Sequence, residues 1–475
     1  MLSRSRYALL ALLVAPALGI TVGALPASAA DGAALLAGAS PLDGAALAGP
    51  TTAYVAGEGV TQVTWVLDGV WLGADTTAPY ELDLRLAPGS HRLRARVEQR
   101  GGDVRLDARF DVASGAAAAP AAPAVQPVAP SAAPAVQPAT SPAPAPAVAP
   151  ATSSTGTTWH VDTADEVRAA LASARPGDTV AVADGTYLFK KRVVAAASGT
   201  AAAPITLVGS RRAVFRTKGV SGDYGLSVTG DYWHVRGITV AHASKGIVLD
   251  GSRGTVIDGV EVYDIGAEGV HFRSCSSDGV LRDSYVHDTG RRSPQYGEGV
   301  YVGSASSNWG SYHCTDPVER ISTGDNTERV LVEGNTFEDV TAEGADLKEG
   351  TDSGTLRDNR FVAAGTSGRN SADSAVDAKG NGWVVSGNTV SDTTRRWDDD
   401  GTLRPSAFAD GFQAHSVVPG YGTRNVFSGN RVVGSVPGFG VGLYPQAGNV
   451  VRCDNSAPDA ARGLVGNGRS AARCG

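Results

Sequence analysis

Downstream of residue 230 the chain alternates apolar and polar side chains in short runs that recur. One run reads Trp233-His234-Val235-Arg236-Gly237, then Thr255-Val256-Ile257-Asp258-Gly259, Val330-Leu331-Val332-Glu333-Gly334-Asn335, Trp383-Val384-Val385-Ser386-Gly387-Asn388 and Asn425-Val426-Phe427-Ser428-Gly429-Asn430. A second run follows each, in the pattern Glu268-Gly269-Val270-His271-Phe272-Arg273, Glu298-Gly299-Val300-Tyr301-Val302-Gly303 and Glu343-Gly344-Ala345-Asp346-Leu347-Lys348. Strict alternation argues for half-buried strands. A shortest period of about 22–24 residues with two or three strands per repeat argues for a solenoid of stacked coils, a parallel β-helix. No coil can bury its inward side chains alone, so the first needs a cap. The segment after Trp159-His160-Val161 supplies one. Asp162 or Thr163 can cap a helix whose apolar stripe is Val167, Ala170 and Leu171. The recurring Asn335, Asn359, Asn388 and Asn430 fall at one turn, where a ladder of amides would satisfy the backbone.

Composition divides the rest. Residues 116–150 hold ten prolines among Ala, Val and Gln and cannot bury a core, so residues 116–155 are expected to be an extended linker. Upstream, Val63-Thr64-Trp65-Val66-Leu67 runs into the turn residues Asp68-Gly69, and Leu93, Ala95 and Val97 share one face of an alternating stretch. Short strands at this spacing point to a small β-sandwich over residues 30–115, and the runs Ala78-Pro79-Tyr80 and Pro88-Gly89-Ser90-His91 make it resemble bacterial immunoglobulin-like modules. That module carries no catalytic constellation. It is expected to act as a spacer or as a cell-wall or glycan contact, and Trp71 is expected to be a core or edge aromatic. Arg4 and Arg6, the apolar stretch Tyr7 to Leu25 and Ala27-Ser28-Ala29 read as a secretory signal over residues 1–29, so a secreted, extracellular protein without a membrane span is expected. In an exported chain the four cysteines predict two disulfides. Sequence order favours Cys275–Cys314 and Cys453–Cys474, with the other pairings open. A net charge of −7 argues against nucleic acid as a partner.

The alternation assigns sides. Val270, Phe272, Val300, Val302, Ala345, Leu347, Val376, Ala378, Phe412 and Ala414 point inward. Outward columns therefore align on successive coils. One reads Val248, His271, Tyr301, Asp346, Asp377, Gln413, Gly442; the next reads Asp250, Arg273, Gly303, Lys348, Lys379, His415, Tyr444. Preceding the strands stand Lys245, Glu268, Glu298, Glu343, Ser374, Asp410 and Phe439. The chain has only six lysines against 35 arginines, yet two of them, Lys348 and Lys379, stack on adjacent coils. The long connections 304–328 and 391–409 add Trp309, Tyr312, Arg395, Arg396 and Trp397, suited to stacking on sugar rings and pairing with carboxylates.

A groove of this composition suits a linear acidic polysaccharide. β-Elimination at a uronic acid removes a weakly acidic C5 proton, which requires a base at C5 and a cation on the sugar carboxylate. A lysine can deprotonate where an arginine cannot. Lys348 is the candidate base, with Lys379, His271 and Arg273 completing the candidate catalytic set. Tyr301, Asp346, Asp377, Gln413, His415, Tyr444, Trp309, Trp397 and Arg395 are candidate substrate contacts. Calcium on oxygen ligands can share the neutralisation, and Glu298 and Glu343, in one column, can supply two of them. The run Asp398-Asp399-Asp400-Gly401 is read as a solvated loop.

At these residues the sequence resembles the alginate lyase and chondroitinase B family of polysaccharide lyases, over most of residues 159–450. The likeness rests on Pro176-Gly177-Asp178-Thr179 through Ala183-Asp184-Gly185-Thr186-Tyr187, on Gly199-Thr200 and on Pro204-Ile205-Thr206-Leu207. It continues in Asn335-Thr336-Phe337, in Glu343 five residues before Lys348, and in Asp358-Asn359-Arg360-Phe361. The resemblance implies a right-handed, pectate-lyase-like parallel β-helix over residues 156–475, a lysine base at Lys348 and a calcium-binding acid at Glu343. The chain departs from the family where Lys379 replaces an arginine and where Ala363 to Asp373 is inserted. The expectation is an all-β secreted polysaccharide lyase acting as a monomer on an acidic polysaccharide. A C5-epimerase, a glycoside hydrolase using Asp346 and Asp377, and a non-catalytic glycan-binding protein stay open as alternatives.

Overall fold

Short β-branched runs separated by left-handed turn residues leave the chain little choice but to coil. After several strands of one long parallel sheet the backbone turns through a positive φ, supplied among others by Gly334, Gly387 and Gly429 at 65°, 66° and 62°. Only a residue without Cβ enters that conformation freely. An asparagine follows each. Asn335, Asn359, Asn388, Asn430 and Asn455 stack as a buried ladder; Asn335 accepts from Ser284 N–H, and the side-chain oxygen of each of the other four accepts from the backbone N–H and the amide of the asparagine one coil earlier, at 2.9–3.0 Å. A second ladder, in which Trp383 N–H donates to Asn425 and Asn425 N–H to Asn449, was not read from the sequence.

The computed structural model describes residues 14–15, 42, 45–47, 51–55, 59–67, 70–78, 80–99, 104–113, 156–312, 324–391, 393–397, 403–445, 448–467 and 474. The chain divides into two compact units, residues 1–67 with 71–155, and residues 156–475 with 68–70. In the first unit, a sheet of three strands and a sheet of five share a core of Ala53, Val55, Val63, Trp65, Leu93, Ala95, Val97 and Phe110. The side chain of Trp71 lies outside the described residues.

In the second unit three parallel sheets of 11, 9 and 10 strands wind together. The third sheet runs from Val193–Ala195 to Val465–Gly466, and its ten strands number the coils below. All ten side chains expected to point inward from it are buried in one continuous core. Ala164–Ser173 is the α-helix at the start, with Thr163 as its N-cap in a reciprocal capping box with Glu166. Val167, Ala170 and Leu171 are buried against the first coil. Cys453 and Cys474 are bonded to each other. Cys275 is also disulfide-bonded, while its expected partner Cys314 lies outside the described residues. The long connection 391–409 contains an antiparallel pair, Arg395–Trp397 with Leu403–Pro405; residues 398–402, including the aspartate run, lie outside the described residues. No helix among the described residues is long and apolar enough to cross a membrane.

Candidate functional site

The third sheet stacks its outward residues in register. His271 opposes Tyr301, which opposes Asp346, then Asp377, Gln413 and Gly442. Asp250 opposes Arg273 and His415 opposes Tyr444 in the neighbouring column. Lys348 and Lys379 each follow their strand by one residue, and both are nearly buried, at 9% and 8% exposure.

Their surroundings differ. Lys379 Nζ lies 2.7 Å from Asp346 Oδ1, 2.8 Å from Asp377 Oδ2 and 3.8 Å from Glu343 Oε1. Burial alone would lower its pKa, but these three carboxylates override that and hold the ammonium charged. Lys348 is held more loosely, 3.4 Å from Glu349 Oε2 and 3.7 Å from Asp346 Oδ2, and its Nζ lies 5.8 Å from the centre of the Tyr301 ring. Burial, then the charges of Asp346 and Glu298, push the Tyr301 hydroxyl well above its ordinary range and keep it protonated. Burial would raise the Asp377 carboxyl, yet Lys379 and His415 bring it below the usual range. Its Oδ1 meets His415 Nδ1 at 2.9 Å.

On the pre-strand side three glutamates, Glu268, Glu298 and Glu343, stand on consecutive coils. Lys245 closes one end of this acidic row at 2.6 Å from Glu268, and Lys379 closes the other. Glu298 stands between with no cation beside it among the described residues. Burial, then the charges of Glu268 and Glu343, push it well above the carboxylate range, and burial pushes Glu343 up to about 8. Glu298, Glu343 and Asp346 offer oxygens within 4.8 Å of one another. Glu298 Oε2 is buried without a hydrogen-bond partner among the described residues. An all-carboxylate donor set with an unpaired buried oxygen fits a hard divalent cation such as calcium. Asp346, expected among the substrate contacts, sits with this acidic group and with both lysines.

The other expected residues are distributed along the same face. His271 is 2% exposed; its Nε2 lies 2.9 Å from Gly303 O, its ring meets Tyr301 edge-on at 4.5 Å, and burial holds its pKa well below the usual value. Arg273 is engaged by Asp250, with Nη2 at 2.9 Å from Oδ2. Gln413 donates to Asp373 and Asp410, both at 3.0 Å. Tyr444 donates to Asp410 and stacks on His415 with ring centres 4.7 Å apart. Trp309 Nε1 donates to Ser304 O at 3.0 Å, and its ring lies 5.9 Å from that of Tyr421. The side chains of Arg395 and Trp397 lie outside the described residues, so nothing places them at the face. Sequence reading missed Glu349, Asp373, Tyr224 and Tyr421. The last three stand in turns without periodicity, and Glu349 follows Lys348 where the alternation has ended.

A family model described as Pel9A-like, right-handed β-helix region matches residues 147–395. Among solved structures, an alginate lyase from Paenibacillus sp. str. FPU-7 is 34% identical, over 66% of this chain and 99% of that one, with a TM-score of 0.58. Pectate lyase Pel9A is 16% identical over 67% and 82% of the two chains, with a TM-score of 0.35. A mannuronic acid specific polysaccharide family 6 lyase from human gut microbiota is 15% identical over 60% and 66%, with a TM-score of 0.35. No curated protein sequence matches the chain.

Proposed function

We propose that this chain, which belongs to the Pel9A-like right-handed β-helix family of polysaccharide lyases, is a secreted enzyme that cleaves a uronic-acid polysaccharide by β-elimination with Lys348 as its base. The observation that carries the reading is the contrast between two neighbouring lysines. Lys379 is locked by acids at 2.7 and 2.8 Å, whereas the nearest acid to Lys348 is at 3.4 Å and Tyr301 lies beside it. In the proposed reaction Lys348 Nζ takes the C5 proton. The C5–H electron pair becomes the C4–C5 double bond as the C4–O bond breaks. The leaving oxygen takes a proton, and the Tyr301 hydroxyl, held protonated by its surroundings, is the donor. Lys379 acts as a positioning residue that fixes Asp346 and Asp377. Glu298, Glu343 and Asp346 would hold calcium, which when bound supplies positive charge to the sugar carboxylate and so acidifies C5.

Elimination is favoured over hydrolysis because Asp377 is held ionised and Asp346 is bonded to Lys379, so neither suits a general acid. The most identical of the relatives named above is an alginate lyase, so alginate is the first polymer to test, followed by polygalacturonate and dermatan sulfate. New ultraviolet absorbance from an unsaturated product marks elimination. New reducing ends without absorbance would mean hydrolysis, and altered sugar composition with no cleavage would mean epimerisation. Chelation is expected to reduce turnover by about tenfold or more, reversibly on adding calcium; full activity in chelator would remove the cation from the reading.

A further inference from the structure

The outward face of the third sheet does not stay open along its whole length. Ser227 and Val248 point out of the second and third coils, in the column that leads through His271 to Tyr301. Yet they are 2% and 0% exposed. Tyr224, in the turn before the second coil's strand, brings its ring centre within 5.9 Å of Lys245 Nζ and within 5.8 Å of the Arg273 guanidinium. Lys245 precedes its strand and Arg273 ends its own, so these backbones stand at opposite edges of the face, roughly 15 Å apart along a strand. One ring that reaches both lies across the sheet. Arg192 covers the same ring at 4.3 Å, and Tyr312 covers Arg273 at 4.3 Å.

Three acids hold these cations in place. Asp223 lies 3.1 Å from Arg192, Glu268 lies 2.6 Å from Lys245, and Asp250 engages Arg273. The result is a fixed array of donors with little left to reorganise on binding. It is not exhausted by its internal partners. The Arg192 side chain is 43% exposed and that of Lys245 20%, and the buried Arg273 Nη1 has no hydrogen-bond partner among the described residues. An aromatic ring flanked by cations suits a sugar bearing a carboxylate, because the ring takes the apolar face of the sugar and the cations take the charge.

We propose that Arg192, Tyr224 and Lys245 form a subsite for a uronate sugar at the closed end of the groove, a proposal that rests on the polyuronate reading above. The strand that follows Lys245 lies three coils from the strand that precedes Lys348, roughly 15 Å at about 4.8 Å per coil. The subsite therefore reads a sugar about two or three rings from the bond that breaks, and it favours chains long enough to reach it.

The test uses the full chain carrying Lys348→Ala, so that oligouronates bind without being cut. Calorimetry with short and long oligouronates from the same polymer should show longer chains binding more tightly. Adding Lys245→Gln or Arg192→Gln should weaken the long ones by about tenfold, roughly 1.4 kcal/mol, and leave the short ones unchanged. With Lys348 restored, Arg192→Gln should raise KM for the polymer and leave kcat unchanged. Arg192→Gln alters an exposed side chain and keeps the test valid if Lys245→Gln does not fold. Cleavage with unchanged KM and unchanged preference for length would overturn the subsite and leave the lyase reading standing. Neither binding nor cleavage of any polyuronate would remove both.

Discussion

At the scale of single residues, one coil of displacement changes what a lysine can do. Lys379 neutralises two buried aspartates, so Lys379→Ala leaves them without a counter-charge. It is expected to destabilise the fold by about 3–5 kcal/mol, read by denaturant unfolding, whereas Lys348→Ala should cost much less. An equal loss in both variants would contradict the division of roles. His415 and Asp377 give a pH-dependent pair. His415 is raised above its ordinary value: burial lowers it, but Asp377 more than compensates. Its contribution is therefore complete below the unfolded histidine pKa of about 6.5 and fades as pH rises through the folded value. Asp377 is depressed, so its contribution is complete above the unfolded carboxyl pKa of about 3.9 and fades as pH falls through its folded value. Stability lost in His415→Ala should thus be greatest between about pH 4 and 6.5 and shrink above it. A loss independent of pH would mean that the pair is held by packing rather than charge. The side on which each of these residues stands was legible from alternation alone. Which acid grips which lysine was not, because Asp346 lies within reach of both amines and of the glutamates, and a column gives order without distance.

At the scale of elements, the strands are short and owe their register to turns as much as to ladders. The asparagine turn carries that burden. Asn388 donates to Leu356 O at 2.9 Å and to Asn430 at 3.0 Å, and it accepts from the backbone and side chain of Asn359. Asn388→Ala strands these buried groups and is expected to cost about 2–4 kcal/mol in unfolding measurements. Asn388→Asp would add a buried charge and should be worse. A loss below about 0.5 kcal/mol would mean that the turn is held by its glycine alone. The repeats made this ladder readable in advance, since Gly-Asn recurs at Gly334-Asn335, Gly387-Asn388 and Gly429-Asn430. Asn455 escaped because Asp454-Asn455 follows a strand of only two residues, Val450–Val451, and the Asn425–Asn449 pair escaped because each stands just before its strand rather than at the recurring Gly-Asn turn. The groove walls were harder still. Tyr224 and Tyr421 stand in turns, where no period says which way a side chain faces.

At the scale of the molecule, a chain-wide charge of −7 conceals a face that is locally ordered into rows of opposite sign. The acidic row of Glu268, Glu298 and Glu343 lies on one side of the strands, and the two lysines lie on the other. That arrangement exists only because the coils stack, and the stack begins at the capped helix. Leu171→Asp places a charge at the end of the continuous core, where Leu171 is 0% exposed. It is expected to cost more than about 3 kcal/mol and to abolish activity through loss of folding, with circular dichroism separating this from a catalytic defect. The repeat period disclosed the solenoid from sequence, and three sheets rather than two follow from the turn at each asparagine. The elimination reading is tested most directly by comparing the unaltered full chain with Lys348→Ala on the polyuronate that is cleaved best. Ultraviolet absorbance would report the unsaturated product, and thermal unfolding would check the fold. Turnover should fall by about a thousandfold or more with the unfolding transition little changed. Undiminished formation of unsaturated product by the folded variant would show that Lys348 is not the base.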